Sequence, residues 1–284
     1  MILHLDKAIA DVWSKDGAFN RAQQQHGEIF REKEGRRTVR FALNGKHYFL
    51  KLHEGVGWGE ILKNLLQFRL PVIGATNEWL AIKKLHRLGL PTMTAVGYGR
   101  RGFNPAKQLS FLITDELTDT LSLEDLCATW PQRPPDFNLK QALIRQVAEI
   151  ARTLHENGVN HRDFYLCHFR ADLSMGRENL NPENLRLYVI DLHRAQIRKK
   201  TPLRWVVKDL GGVYFSALNI GLTSRDLLRF MAFYRRKNLR ELKADSRFWL
   251  KVERRAKRIA GRDFGHIPAM PSISTSYPVQ HIRK

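Results

Sequence analysis

The chain has 284 residues, 43% of them hydrophobic, enough for one large domain or for two lobes around a cleft. Its 48 Lys and Arg against 28 Asp and Glu leave a net charge of +20, which directs it toward anions: nucleic acid, an anionic membrane face, acidic proteins or phosphorylated ligands. Two cysteines make no disulfide framework and fit a reducing compartment, Met1–Lys7 lacks the apolar core of a signal peptide, and no apolar run approaches the ~18 residues that span a bilayer.

In chain order, residues 1–27 are mixed and Gln-rich and predict a helix with a loop. Ile29–Phe30, Thr38–Leu43 and His47–Leu52 predict three short strands, with Arg36–Arg37 and Asn44–Gly45 as turns; Asn-Gly between strands is a strong hairpin signal. The third strand carries one lysine, Lys51. A strand lysine is ordinarily solvated, but apolar Phe49, Leu50 and Leu52 point this one into a cleft. Gly55–Leu70 predicts a Gly-punctuated entry to an apolar helix, and Asn77–Leu88 a helix stopped by Gly89 and Pro91. Glu78, Ile82 and Leu85 share one face of that helix. A carboxylate on an apolar stripe needs a cation if it is buried. Lys51 is the candidate cation for Glu78, with Glu60 the runner-up carboxylate; a first-turn glutamate favoured by the helix dipole is the plain alternative.

Val96–Arg101 and Leu109–Thr114 predict two further strands, followed by Asp115, Glu116 and Leu117. Leu121–Leu126 predicts a short helix and Leu139–Asn157 a long amphipathic one, with Leu143, Val147, Ile150 and Leu154 on its apolar side and Gly158 at its end. Arg170–Asn184 is a polar excursion, with Ala171–Asn184 an insertion before the apolar strand that delivers Asp191. In the helix opening at Val207–Gly212, Asp209 either accepts backbone N–H bonds from the His161-Arg162-Asp163 loop or caps the helix. Arg235–Arg262 has twelve Lys and Arg against three acids, and Leu242, Trp249, Val252, Ala256 and Ile259 recur at helical spacing. That pattern predicts a helix docked on the core with a basic outer face.

The chemistry concentrates in His161-Arg162-Asp163-Phe164-Tyr165-Leu166-Cys167-His168, directly after the long helix. The layout is H-R-D-x-x-x-x-N, a kinase catalytic loop, with His168 in the Asn place. Phosphoryl transfer needs a carboxylate beside the attacking hydroxyl and a second ligand for a metal ion further along the loop. Lys51, Asp163 and Asp191 follow in the order lysine, base, metal ligand, on a strand, a loop and a strand end.

This loop resembles, nearly residue for residue, that of bacterial lipopolysaccharide core heptose kinases, within the wider lipopolysaccharide kinase family. The resemblance covers roughly residues 28–235, and the loop is its most specific part. It implies an α+β, bilobal, protein-kinase-like fold: a small antiparallel-sheet N-lobe over 1–117, a mainly helical C-lobe over 118–266 and a loosely ordered tail over 267–284. It implies ATP and Mg²⁺ as cofactors, and transfer of the γ-phosphoryl group to a hydroxyl of the first heptose of the lipopolysaccharide inner core. Lys51, paired with Glu78, would neutralise the nucleotide phosphates. Asp163 would orient the sugar hydroxyl and accept its proton. Asp191 and His168 would hold Mg²⁺, unless His168 instead orients Asp163. Arg162, or a basic side chain near Arg194, would counter charge on the transferred group. The Glu32–Arg37 turn would cover the phosphates with only Gly35, helped by Arg36 and Arg37, and the backbone of Asp115, Glu116 and Leu117 would hold the adenine.

The sequence departs from protein kinases at His168, at Asp191-Leu192-His193 in place of Asp-Phe-Gly, and in its nearly glycine-free phosphate loop. The basic surplus suits an anionic glycolipid acceptor on the cytoplasmic face of the inner membrane and retains a peripheral protein there; an acidic carrier protein such as acyl carrier protein is a further candidate partner, and nucleic acid is not expected. Three other readings stay open: a kinase for Kdo or another small hydroxylated substrate, a pseudokinase, and a basic nucleic-acid-binding protein without turnover.

Overall fold

The computed structural model describes residues 1–33, 35–66, 73–238, 240–267 and Pro271. Expectations stated above for Gln67–Leu70, for Glu34, for the side chain of Glu60 and for most of the tail after Ile267 lie outside the described residues. The chain divides into two compact units: Met1–Thr118 with Asp191–Ala195, and Asp119–Ile190 with Gln196–Lys284.

The first unit opens with β1 (Ile2–Leu5), α1 (Lys7–Ala10) and α2 (Ala18–Gln24). Three strands follow, β2 (Glu28–Lys33), β3 (Arg36–Leu43) and β4 (Lys46–His53), then α3 (Gly57–Leu66), α4 (Thr76–Arg87), β5 (Ala95–Arg101) and β6 (Leu109–Asp115). The strands form one antiparallel sheet in the order β1-β5-β6-β4-β3-β2. Asn44 and Gly45 both have positive φ, as the tight β3–β4 turn requires. Arg36 and Arg37, expected in a turn, lie inside β3, opposite His53 and Leu52.

Strand β4 sorts its side chains by parity. Tyr48, Leu50 and Leu52 join Trp13, Phe19 and Phe111 in a core under α1 and α2. Phe49, Lys51 and His53 therefore face the opposite side of the sheet. Gly35 (φ +70) sits in the β2–β3 turn, where a Cβ would lie 2.5 Å from the Gly55 carbonyl oxygen; only glycine fits that approach.

The second unit is mainly helical. It contains β7 (Thr120–Ser122), α5 (Leu123–Cys127), α6 (Phe137–Glu156), β8 (Val159–Asn160), β9 (Phe169–Asp172), β10 (Leu187–Val189), β11 (Gln196–Ile197), α7 (Leu203–Ser216), α8 (Ser224–Arg235) and α9 (Ser246–Phe264). Residues 120–122, expected in a helix from Leu121 on, pair as a strand with β9, and Ser122 caps α5 by accepting from the Asp125 amide. The long helix starts at an Asp136 cap that accepts from Asn138 and Leu139, contributing about 1 kcal/mol. Part of the expected insertion, Ala171–Asp172, belongs to β9 and pairs with β10 and β7.

Helix α8 packs on α6, and α9 on α7. Leu242, Trp249, Val252, Ala256 and Ile259 are all buried, the apolar stripe the spacing predicts. Each of the larger ones contributes about 1.5–3 kcal/mol of burial. Burial also pushes the Cys127 thiol up to about 12, so it packs as a small hydrophobe. Among the described residues no helix is long and apolar enough to cross a membrane.

Candidate active site

The residues singled out from the sequence fall into two groups, one in each unit. In the first, Lys51 Nζ lies 2.6 Å from Glu78 Oε1. Glu78 is 1% exposed, because its i, i+4, i+7 partners Ile82 and Leu85 bury that face of α4. Burial pulls the Lys51 pKa down, but the charges of Glu78 and then Asp191 outweigh it, and the group ends above its ordinary 10.5. The lysine is thus a cation fixed by Glu78 and within the field of Asp191 at every physiological pH.

Asp191 follows the last residue of β10 by two positions and has φ 60, a left-handed conformation rare for a non-glycine residue. His193 Nδ1 donates to its Oδ1 at 2.5 Å, which fixes the carboxylate's direction. His53, two residues after Lys51, is 6% exposed; burial, then the charges of Arg36, Lys51 and His193, push its pKa from 6.5 to about 3.

His53 makes the acid limb of the stability curve readable. Between pH 6.5 and about 3 the unfolded chain binds a proton there and the folded chain does not. Its contribution is therefore full above 6.5 and is lost as pH falls, at about 1.4 kcal/mol per pH unit. Replacing His53 by Gln is expected to flatten that limb, read as a smaller drop in urea midpoint between about pH 7 and about pH 4.

The expected adenine-binding stretch is partly committed to the protein itself. The Asp115 amide donates to Thr94 O at 3.0 Å and the Glu116 amide to His47 O at 3.1 Å. Asp115 Oδ1 accepts from the Thr94 amide, and Glu116 grips Arg40 through two bonds of 2.9 Å. Asp115 therefore ties the end of β6 to the residue before β5, and Glu116, just past β6, reaches across to β3. Gly35 serves the β2–β3 turn described above.

In the second unit, the catalytic-loop sequence is held by its neighbours. Asp209 sits in the middle of α7, not at its cap, and is 1% exposed. Its two carboxylate oxygens accept from the amides of His161 (2.7 Å) and Arg162 (2.8 Å). Of the two roles open to it in sequence, the loop brace is the one it performs. Arg162 has φ 78, so the clamp holds a strained backbone that costs about 1–3 kcal/mol. Gly212 lets α7 approach this closely, since a Cβ there would lie 2.8 Å from the Phe164 carbonyl oxygen.

His161 Nε2 lies 2.9 Å from the Ile190 carbonyl oxygen, which can only accept, so Nε2 carries the hydrogen. The same logic fixes His168: its Nδ1 lies 2.6 Å from the Asp163 carbonyl oxygen and must donate. In the neutral ring Nε2 is then the basic nitrogen. His168 Nδ1 is thus committed to the backbone of Asp163.

Among the described residues no group of three or more His, Cys, Asp or Glu forms a self-contained metal site. A carboxylate that is 33% exposed, as in Asp191, suits a hard divalent cation whose other ligands come from a nucleotide and water. The His168 imidazole is a softer and weaker donor for such an ion.

A small antiparallel-sheet unit with a Lys–Glu pair whose carboxylate is buried, and a helical unit with an Asp-clamped His-Arg-Asp loop, are parts of a protein-kinase-like fold. The profile of the "Lipopolysaccharide kinase (Kdo/WaaP) family" matches residues 20–234, and the chain belongs to that family. Among its relatives is "Lipopolysaccharide core heptose(I) kinase WaaP" of Pseudomonas aeruginosa, 48% identical over 263 residues, which are 92% of this chain and 97% of that protein. The protein of the same name from Escherichia coli K12 is 51% identical over 234 residues, 82% of this chain and 87% of its own. A solved structure described as "WaaP in complex with acyl carrier protein" superposes with a TM-score of 0.80 at 42% identity, covering 91% of this chain and 99% of the other.

Proposed function

We propose that the chain is an ATP-dependent phosphotransferase that phosphorylates a hydroxyl of the first heptose of the lipopolysaccharide inner core. The observation that carries the reading is the Lys51 ammonium held 2.6 Å from buried Glu78, within the field of Asp191. A lysine so fixed is positioned to neutralise phosphate oxygens and cannot fold back onto solvent. The family and the names of its relatives supply the acceptor class.

In this reading Lys51 binds the nucleotide phosphates, and Leu117 with the carbonyls of Asp115 and Glu116 faces the adenine. Gly35 and the β2–β3 turn lie over the phosphates. Asp191 would hold Mg²⁺, with His168 as a second, weaker ligand through Nε2; when bound, the ion neutralises charge on the phosphate oxygens. Asp163 orients the sugar hydroxyl and takes its proton late in the transfer. Arg162 counters charge that develops on the transferred group.

The +20 net charge suits a peripheral protein on an anionic cytoplasmic leaflet, each Lys or Arg near such a surface adding about 1 kcal/mol. An acidic carrier protein is the other proposed partner, supported by the solved relative's complex with acyl carrier protein. The test is incubation of purified protein and ATP with heptose-bearing or heptoseless lipopolysaccharide, followed by phosphate analysis of the core. Phosphate is expected on the heptose-bearing acceptor alone; incorporation into the heptoseless one would retire the heptose assignment.

A further inference from the structure

Four cations surround one indole in the second unit. Arg162 Cζ, Arg204 Cζ and Lys208 Nζ each lie 5.3 Å from the centre of the Trp205 ring, and Arg198 Cζ lies at 6.0 Å. They come from the catalytic-loop sequence, from the stretch after β11 and from the first turns of α7. The ring faces attract cations, but one indole offers two faces to four charges, so like charges crowd one another.

One of the four is held in place without being neutralised. Arg198 is fixed by Asn160 Oδ1 and Gln196 Oε1, both at 2.6 Å and both uncharged. Among the described residues neither Arg198 nor Arg204 has a carboxylate partner. Burial and then the charge of Arg204 hold the Arg198 guanidinium below its ordinary range. The Trp205 indole N–H is shut off from solvent and has no acceptor among the described residues.

The cluster is reachable. Arg204 is exposed at the wall of an open groove whose other lining includes Lys251, Arg254, Arg255 and Arg258 from α9, with no carboxylate among the described residues that line it. The amino end of α7, with Arg204 and Trp205 in its first turn, adds a positive helix terminus to the same place. Arg198 and Arg204 are the two whose charge no carboxylate among the described residues offsets. An anion bound beside these two would offset their mutual repulsion.

We propose that Arg204, Lys208 and Arg198 around Trp205 form a subsite for an oxyanion of the acceptor, a carboxylate or phosphate group carried near the sugar that is phosphorylated. Arg162 joins this subsite to the loop that carries Asp163, so the bound oxyanion sets which hydroxyl the carboxylate meets. The inference deepens the function proposed above and rests on it for the identity of the acceptor. It makes the cluster a determinant of acceptor specificity, separate from nucleotide binding.

The experiment is calorimetric binding of acceptor without nucleotide to the full chain, to Arg204→Ala and to Arg204→Lys. Three acceptors are used: intact, with carboxylates esterified, and treated with phosphatase. Arg204→Ala is expected to weaken binding of the intact acceptor about tenfold, with Arg204→Lys between the two. The loss should vanish for one modified acceptor, which identifies the oxyanion as carboxylate or phosphate. Equal affinity of Arg204→Ala and the unaltered chain overturns the subsite, as does an equal loss on all three acceptors, which marks diffuse surface attraction. If binding follows the expected pattern but no phosphate is transferred, the subsite stands and the proposed activity falls. If transfer proceeds and Arg204→Ala binds normally, only the subsite falls.

Discussion

Replacing Asp163 by Ala is expected to lower kcat by about 10²–10⁴-fold, the usual worth of a positioned proton acceptor. Nucleotide affinity and melting temperature should stay close to those of the unaltered chain. The reason lies in how the loop is held. The bonds that hold it include the His161 and Arg162 amides on Asp209 and the Asp163 carbonyl on His168. Truncating one carboxylate leaves that scaffold standing. Single-turnover transfer assays with equilibrium nucleotide binding separate the two quantities, and unchanged turnover in this variant would remove Asp163 from the mechanism.

Replacing Lys51 by Met should damage both stability and activity, for one physical reason. Glu78 is 1% exposed, and without its cation it becomes a buried, unpaired carboxylate costing about 3–5 kcal/mol. The variant's defect should depend on pH in a definite direction. An unpaired buried glutamate has a raised pKa, so the penalty is full above that value and fades as pH falls toward the ordinary ~4.3. In the native pair the sign is reversed in range: the Lys51 pKa is above 10.5, so its contribution is full below 10.5 and is lost as pH rises through the higher folded value. Adding Glu78→Gln to Lys51→Met should restore much of the stability and none of the turnover, measured by urea titration and transfer assay. Recovery of activity in the double variant would show that the lysine acts only as a counter-ion for Glu78.

Where local periodicity decides structure, the sequence was informative. The Lys51 strand and the Glu78 helix follow from spacings of two and of three to four residues, and both residues stand where those spacings put them. The Asn44–Gly45 turn and the buried stripe of α9 follow in the same way. The misses involve pairing at long range. Strand β1 is four residues long and is held by β5, so residues 1–27 alone offer only weak alternation. Arg36 and Arg37 look like turn residues because they are charged, yet β4 pairs with both. Leu121 carries a helical pattern that pairing with β9 overrides. The bonds that occupy the Asp115 and Glu116 amides come from Thr94 and His47, which no local pattern announces. The cations around Trp205 were hidden for the same reason, since Arg162 and Arg198 are brought to α7 only by the fold.

Arg162 and Asp191 both hold φ values, 78 and 60, that their side chains resist. One lies just before Asp163, the proposed proton acceptor, and the other is the proposed metal-holding carboxylate itself. A glycine at either place would relax the main chain and make the folded protein easier to form. It would also let the segment wander, so the two carboxylates would be correctly aimed only part of the time. The resting protein therefore behaves like a cocked spring: tension absorbed once, during folding, spares each catalytic cycle the search for the right pose.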